Sequence, residues 1–135
     1  MSEENIEVLR AFYDGFNRSG DIGDVLHYVD PDVEVHPGVI APDSKAEYHG
    51  RAAFREFFES IVTGPWETVI IEPTEMIEAE GNRVLCLDRW RFRGRDGIEI
   101  NRELPNLFTL RDGLISRIDG FTDTVEALEA AGLSE

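Results

Sequence analysis

The chain is short of basic residues and nearly devoid of cysteine. Its 13 lysines and arginines stand against 28 aspartates and glutamates, a net charge of −15. Such a surface repels phosphate backbones and anionic lipids, which sets nucleic-acid and membrane-surface binding aside. Cys86 is the single cysteine, so an internal disulfide and a cysteine-rich zinc site are both excluded. Its setting, Val-Leu-Cys-Leu-Asp, reads as a strand in which the thiol is a small core residue. No apolar run reaches the length of a membrane span, and the N-terminus lacks a basic-then-apolar signal, so cytoplasm is the expected compartment. Neither His27 nor His49 has metal-ligand spacing. A phosphate-cradling loop and a dinucleotide fingerprint are missing too, Gly94-Arg95-Asp96-Gly97 reading as a hairpin turn. The expectation is no metal and no cofactor. With no repeat, low-complexity tract or linker, residues 1–135 read as one domain, and the 41% hydrophobic content is ordinary for a globular protein.

What is present is a clear alternation of periodicities. Ile6, Leu9, Phe12, Tyr13 and Phe16 recur at helical spacing behind an acidic first turn, and Ser19-Gly20 ends that helix. Asp21 is placed to cap a second, short helix through Val25, Leu26 and Val29, stopped by Asp30-Pro31. Val33 to His36 alternates as a short strand ended by Pro37-Gly38, and residues 39 to 48 read as a loop. Gly50 opens a third helix with Phe54, Phe57, Phe58 and Ile61 on one stripe, broken by Gly64-Pro65. A strand from Trp66 to about Glu78 turns at Glu80-Gly81-Asn82. Three strands follow, punctuated by Arg95-Asp96-Gly97 and Arg111-Asp112-Gly113. A last helix, 123 to 131, is closed by Gly132. Helices segregated from an antiparallel sheet make an α+β domain. A long twisted sheet wrapped around helices gives a cone that does not close at both ends, so a cavity is expected.

This order of elements resembles the nuclear transport factor 2-like superfamily, and within it the SnoaL-like group, which includes ketosteroid isomerase-like and limonene-epoxide-hydrolase-like proteins. The resemblance covers nearly the whole chain. It is carried by Gly50-Arg51 opening the third helix, the strand Trp-Arg-Phe-Arg-Gly-Arg-Asp-Gly from Trp90, the Leu-Arg-Asp-Gly turn at 110 to 113, and Ala-Leu-Glu-Ala-Ala-Gly-Leu at 127 to 133. It implies a cone-shaped curved sheet around helices. The same fold hosts isomerases, cyclases, hydrolases, dehydratases and non-catalytic proteins, so it leaves the reaction open. In ketosteroid isomerases the general base follows the first strand's valines and precedes a proline; that place is His36. Their oxyanion partner corresponds to Asn106. Their helix-one tyrosine corresponds to Phe12, so that donor is missing, and Tyr13 is expected to point elsewhere on the helix. The acid that follows the turn glycine in cyclases and epoxide hydrolases corresponds to Gly120. Asp119 is one step away, and one step along a strand reverses the face.

Read from the residues themselves, three groups can do chemistry. An imidazole such as His36 accepts a proton near neutral pH, and Glu34 lies on the same strand face about 6.6 Å away; the alternative is that both are solvated. Asn106 is a lone amide on the apolar face of Ile98, Ile100, Leu104, Phe108 and Leu110. It either donates to a ligand oxygen or is satisfied structurally. Asp88 shares a face with Val84, Cys86, Trp90 and Phe92, where desolvation favours its neutral form; it is a candidate acid or base, or else an ion-pair partner of an arginine such as Arg102. Arg89, Arg91, Arg93 and Arg95 alternate and read as an outer face packing on acidic residues or on a second subunit. The aromatics Phe12, Phe16, Phe57, Trp90 and Phe108, with Gly120, are expected around the ligand, others serving as core. The sequence therefore points to a pocket for a small hydrophobic molecule in a homodimer. The candidate reaction is isomerase, cyclase or dehydratase chemistry by proton transfer on a carbonyl-containing or polycyclic substrate, with His36, Asn106 and Asp88 as catalytic groups. The alternative is a non-catalytic binder of the same fold.

Overall fold

The spacing of Leu9, Phe12, Tyr13 and Phe16 puts four apolar side chains on one helix face. In the computed structural model, which describes residues 2–38, 46–62 and 66–133, they are buried on α1 (Ser2–Ser19). Gly20 ends α1 in the left-handed region at φ 72°. Asp21 caps the next turn as expected, accepting from the Gly23 N–H at 2.8 Å. That element is a 3-10 helix, Ile22–Tyr28. Strand β1 (Val29–His36) begins earlier than the sequence reading placed it. Asp30-Pro31 does not separate helix from strand, because Pro31 falls where the ladder is irregular, between the Val29 and Glu34 pairings, and a missing N–H is tolerated there. A short β2 (Tyr48–His49) begins at the last residue of the segment expected to be loop; residues 39–45 of that segment and the Gly64-Pro65 break lie outside the described residues. Helix α2 (Arg51–Val62) follows Gly50.

The remaining strands are β3 (Trp66–Ala79), β4 (Arg83–Gly94), β5 (Glu99–Glu103), β6 (Asn106–Arg111) and β7 (Leu114–Gly120), followed by α3 (Thr124–Ala130). Asp112 and Gly113 both have positive φ, 53° and 77°, which is the two-residue hairpin geometry matched to strand twist. The seven-stranded sheet runs β2-β1-β7-β6-β4-β3, with β5 paired to β4 off this path. All pairings are antiparallel except β1 with β7. The run from Ile98 to Leu110, read as one strand, is two. Pro105 cannot donate to a ladder, and the chain breaks at Leu104-Pro105 between β5 and β6. Strand β4 therefore changes partner along its length, pairing with β6 over Arg83–Cys86 and with β5 over Arg89–Arg93.

One face of the sheet packs on α1 and α2 through a core that includes Phe12, Phe16, Phe54, Phe58 and Trp90. The other carries Leu85 and Leu107, covered by Ala127 of α3 and by Ala131 at its C-terminal end. Cys86 is buried in the main core, as expected. Arg89, Arg91 and Arg93 are exposed on the outer face, with Glu72 and Glu103 flanking Arg89 in register; Arg95 lies in the turn beyond β4 rather than in the stripe. Among the described residues, no helix is long and apolar enough to cross a membrane.

The edge strand β3 is fastened to α1 by one side chain. Asn17 donates through Nδ2 to the Ile71 carbonyl at 2.7 Å and accepts from the Ile71 N–H at 3.0 Å, standing in for a neighbouring strand. Asn17→Ala strips both partners from a buried backbone unit and is expected to lower unfolding free energy by about 2 kcal/mol. Chemical denaturation reads this directly; an unchanged midpoint would mean that the clasp contributes nothing.

Candidate functional site

The partner change of β4 determines where polar chemistry enters the core. Asp88 sits at the gap between the β6-paired and β5-paired halves of its strand. Its backbone carbonyl accepts from the Leu104 N–H at 2.9 Å, just before Pro105. The alternation of β4 turns its side chain to the same face as Cys86 and Trp90, and it is only 2% exposed. From α1, the Tyr13 hydroxyl donates to Asp88 Oδ2 at 2.7 Å. From the first residue of β6, Asn106 Nδ2 donates to the same Oδ2 at 3.0 Å, and also to the Leu104 carbonyl at 3.0 Å. Asp88 Oδ1 is buried and has no hydrogen-bond partner among the described residues.

These groups open on a cavity of about 300 Å³ between sheet and helices. Its walls are mainly aromatic, with Phe12, Phe57, Phe58, Trp66, Trp90 and Phe108 among them. Its polar residues are Tyr13, Asp88 and Asn106 together with His36 and Arg102. Desolvation raises the Asp88 carboxyl to about 7, although the hydrogen bonds from Tyr13 and Asn106 favour its anion. Tyr13 is pushed well above the ordinary phenol range by burial and then by the neighbouring carboxylate. Burial likewise pushes the Cys86 thiol up, next to Tyr13 and Asp88, so it is no nucleophile.

The candidates named from sequence mostly converge. His36, Asp88, Asn106, Phe12, Phe57, Trp90, Phe108 and Gly120 all line the cavity. Phe16 does not; it is core, 1% exposed and packed edge-on against Phe58. Tyr13 corrects the helix-one expectation. A stripe this wide buries consecutive positions, so Tyr13 faces the cavity beside Phe12, with their rings 5.8 Å apart. Asp88 is held by Tyr13 and Asn106, not by an arginine. Both N–H bonds of the Asn106 amide are taken, so it orients Asp88 before it can serve a ligand oxygen. Asp119 faces away from the cavity and pairs with Arg117 at 2.9 Å. At Gly120 a Cβ would meet the Gly38 nitrogen at 2.7 Å and Asn106 Oδ1 at 3.3 Å. The close approach of β7 to the chain after β1 thus leaves no room for an acid there.

His36 stands at the part of the wall formed with Pro37 and Gly38. Its Nε2 lies 3.5 Å from Glu34 Oε1, close enough for ion pairing but without an aligned hydrogen bond. Donor atoms of Glu34, His36 and Glu47 lie within 4.8 Å of one another, a set that could bracket a divalent cation. Sequence spacing hid it because β2 brings Glu47 alongside β1. Arg117 already interacts electrostatically with both glutamates, which lowers the pull of the cluster on a cation.

A family model described as a SnoaL-like domain matches residues 9–118. The chain belongs to the SnoaL-like family. Among solved structures, TerC co-crystallized with polyporic acid is 29% identical over 96% of this chain and 98% of its own, with a TM-score of 0.75. An NTF2-like protein of unknown function from Mesorhizobium loti is 26% identical over 90% of this chain and 93% of its own, at 0.65. A candidate SnoaL-like polyketide cyclase from Jannaschia sp. CCS1 is 19% identical over 99% and 95%, at 0.71, and shares the fold. No curated protein matches. The expected superfamily and its curved-sheet architecture are confirmed.

In this SnoaL-like domain the Asp88 environment has a measurable thermodynamic signature. Its folded pKa, about 7, lies above the ordinary carboxylate value of about 3.9. The favourable contribution is full below the unfolded value and is lost as pH rises through about 7. The difference corresponds to a penalty on the order of 4 kcal/mol above neutrality. Asp88→Asn is therefore expected to flatten the fall in stability between acidic and mildly alkaline pH, and to be the more stable protein at the alkaline end. Urea unfolding of both proteins across that range is the check; parallel curves would contradict the assignment.

Proposed function

We propose that this domain transfers protons on a small, largely apolar, carbonyl-containing or polycyclic substrate, as an isomerase, cyclase or dehydratase does. One observation carries the reading. A carboxyl group with both of its donors on Oδ2 and nothing on Oδ1 sits in the wall of an aromatic cavity and titrates near neutrality. When neutral, its proton belongs on Oδ1, since Oδ2 is the acceptor of two bonds. A substrate carbonyl that reaches Oδ1 receives a hydrogen bond and then a proton. His36, at another part of the wall, takes the C–H proton as the enol forms. It returns that proton to a different carbon while the enol proton goes back to Oδ1, so the cycle closes without a co-reactant. Tyr13 and Asn106 hold Asp88 in place. TerC, crystallized with polyporic acid, supports a cavity of this fold taking small organic molecules. In this reading a second copy covers the outer face that carries Arg89, Arg91 and Arg93.

The competing reading is a non-catalytic binder. It is favoured by Gly120, which stands where cyclases carry an acid, and by the Asn106 amide, whose donors are already committed.

The two readings separate in one experiment. Polyporic acid and a β,γ-unsaturated polycyclic ketone are offered to the protein, with thermal shift reporting binding and absorbance of the conjugated enone reporting turnover of the ketone. The expected result is turnover that declines as pH rises through about 7. Turnover should fall about 10²–10⁴-fold in Asp88→Asn and in His36→Ala, with binding retained. Stabilisation without any change in the ketone would establish the binder instead.

A further inference from the structure

The described arginines sort by what they hold. Arg51 donates to the Val29 carbonyl at 2.8 Å, and Arg83 to the Ala130 carbonyl at 3.1 Å. Arg55 pairs with Glu59, Arg111 with Asp30 and Arg117 with Asp119. Like Arg89, Arg91 and Arg93, Arg102 makes no hydrogen bond or ion pair with any described residue; it differs in lining the cavity, at an exposed position.

The strand register explains why a cation stays unpaired in so acidic a chain. Side chains alternate along β5. Ile100, Arg102 and Leu104 turn to the cavity and line it, with Arg102 in register with Trp90. Glu99 and Glu103 turn the other way, in register with Arg93 and Arg89 of the outer face. The nearest acids in sequence are thus held on the opposite side of the strand. Among the described residues that line the cavity the only carboxyl group is Asp88, buried and already bonded to Tyr13 and Asn106. Among the described lining residues the cavity therefore presents one permanent positive charge, at an exposed position, and no counter-charge committed to it, in a chain whose net charge is −15.

We propose that the ligand of this cavity is an aromatic or polycyclic acid, whose anionic oxygens are held by the Arg102 guanidinium while its rings lie among the aromatic walls. The inference rests on the cavity being a small-molecule site, as proposed above, and adds the charge of the molecule. A guanidinium fork matches the two oxygens of a carboxylate or of a hydroxy-ketone anion. Ligand binding at the cavity also removes water from that pair, which strengthens it relative to an open surface. The acid must present its charge at Arg102 and a neutral oxygen at Asp88, because a second negative charge beside a buried carboxyl is disfavoured.

The test uses two probes of the same shape, 2-naphthoate and its neutral ketone analogue 2-acetonaphthone, titrated calorimetrically at neutral pH. Wild type is expected to bind the acid about tenfold more tightly than the ketone. Arg102→Gln should erase that preference, weakening the acid about tenfold and leaving the ketone unchanged, and Arg102→Lys should recover part of it. Added salt should weaken the acid alone. Equal binding of the two probes by wild type overturns the inference, as does an acid preference that survives Arg102→Gln. If the ketone binds and the acid does not, the cavity reading stands and this inference falls. If neither binds, the small-molecule reading fails and takes this inference with it.

Discussion

A carboxyl group kept away from water, with two donors on one oxygen and none on the other, organises the centre of this domain. Burying Asp88 disfavours its anion; the bonds from Tyr13 and Asn106 restore part of what is lost and fix its orientation. The result is a group poised near neutrality, which neither a solvated aspartate nor a fully paired one would be. The same three residues tie α1, β4 and β6 together, so the polar contact that tunes the carboxyl also joins a helix to two strands. A substitution there acts on stability and on proton affinity at once, which is why their pH dependence is more telling than their size.

The backbone makes that position possible through a defect. A continuous β5–β6 strand would have paired with β4 along its whole length and offered Asp88 an ordinary place in a ladder. Pro105 interrupts the run, and the break supplies the first residue of β6 as a side-chain donor and the Leu104 N–H as a backbone donor. Beside Asn106, the backbone after His36 comes against Gly120 closely enough that only glycine fits at either point, a Cβ at Gly38 meeting the Gly120 carbonyl carbon at 2.4 Å. The cavity is thus bounded by two places where regular sheet geometry is abandoned.

The fold was largely legible in the sequence because periodicity and punctuation agreed. Helical stripes, hairpin turns at Gly81-Asn82 and Asp112-Gly113, and the cap Asp21 all lie where the residues place them. The misplaced features share a cause. Asp30-Pro31 and Leu104-Pro105 each carry a proline, read as a stop in the first case and passed over in the second. Which it is depends on whether a ladder donor is needed at that point, and that is a property of the neighbouring strand. The site was legible as composition, not as geometry. Asp88, Asn106 and His36 stand out as polar residues on apolar faces or beside one. That Tyr13 would reach Asp88, 75 positions away, depends on how α1 lies across the sheet. A signal existed: Tyr13 belongs to the same apolar stripe as Phe12, and a buried phenol needs a partner.

The arrangement of charge follows from the same alternation that builds the sheet. Strands β4 and β5 each place one set of side chains on the cavity and the other on the outer face. Outside, arginines and glutamates stand opposite one another and stay hydrated, where such pairs contribute little. On the cavity side, the same strands contribute the buried Asp88 and the exposed Arg102, which line the same cavity without meeting each other. A direct pair would have lowered the Asp88 pKa and left the cavity without an acid near neutrality. Because the donors to Asp88 are instead the neutral Tyr13 and Asn106, its proton affinity remains high, while the Arg102 guanidinium stays unpaired among the described residues at an exposed position of the cavity lining.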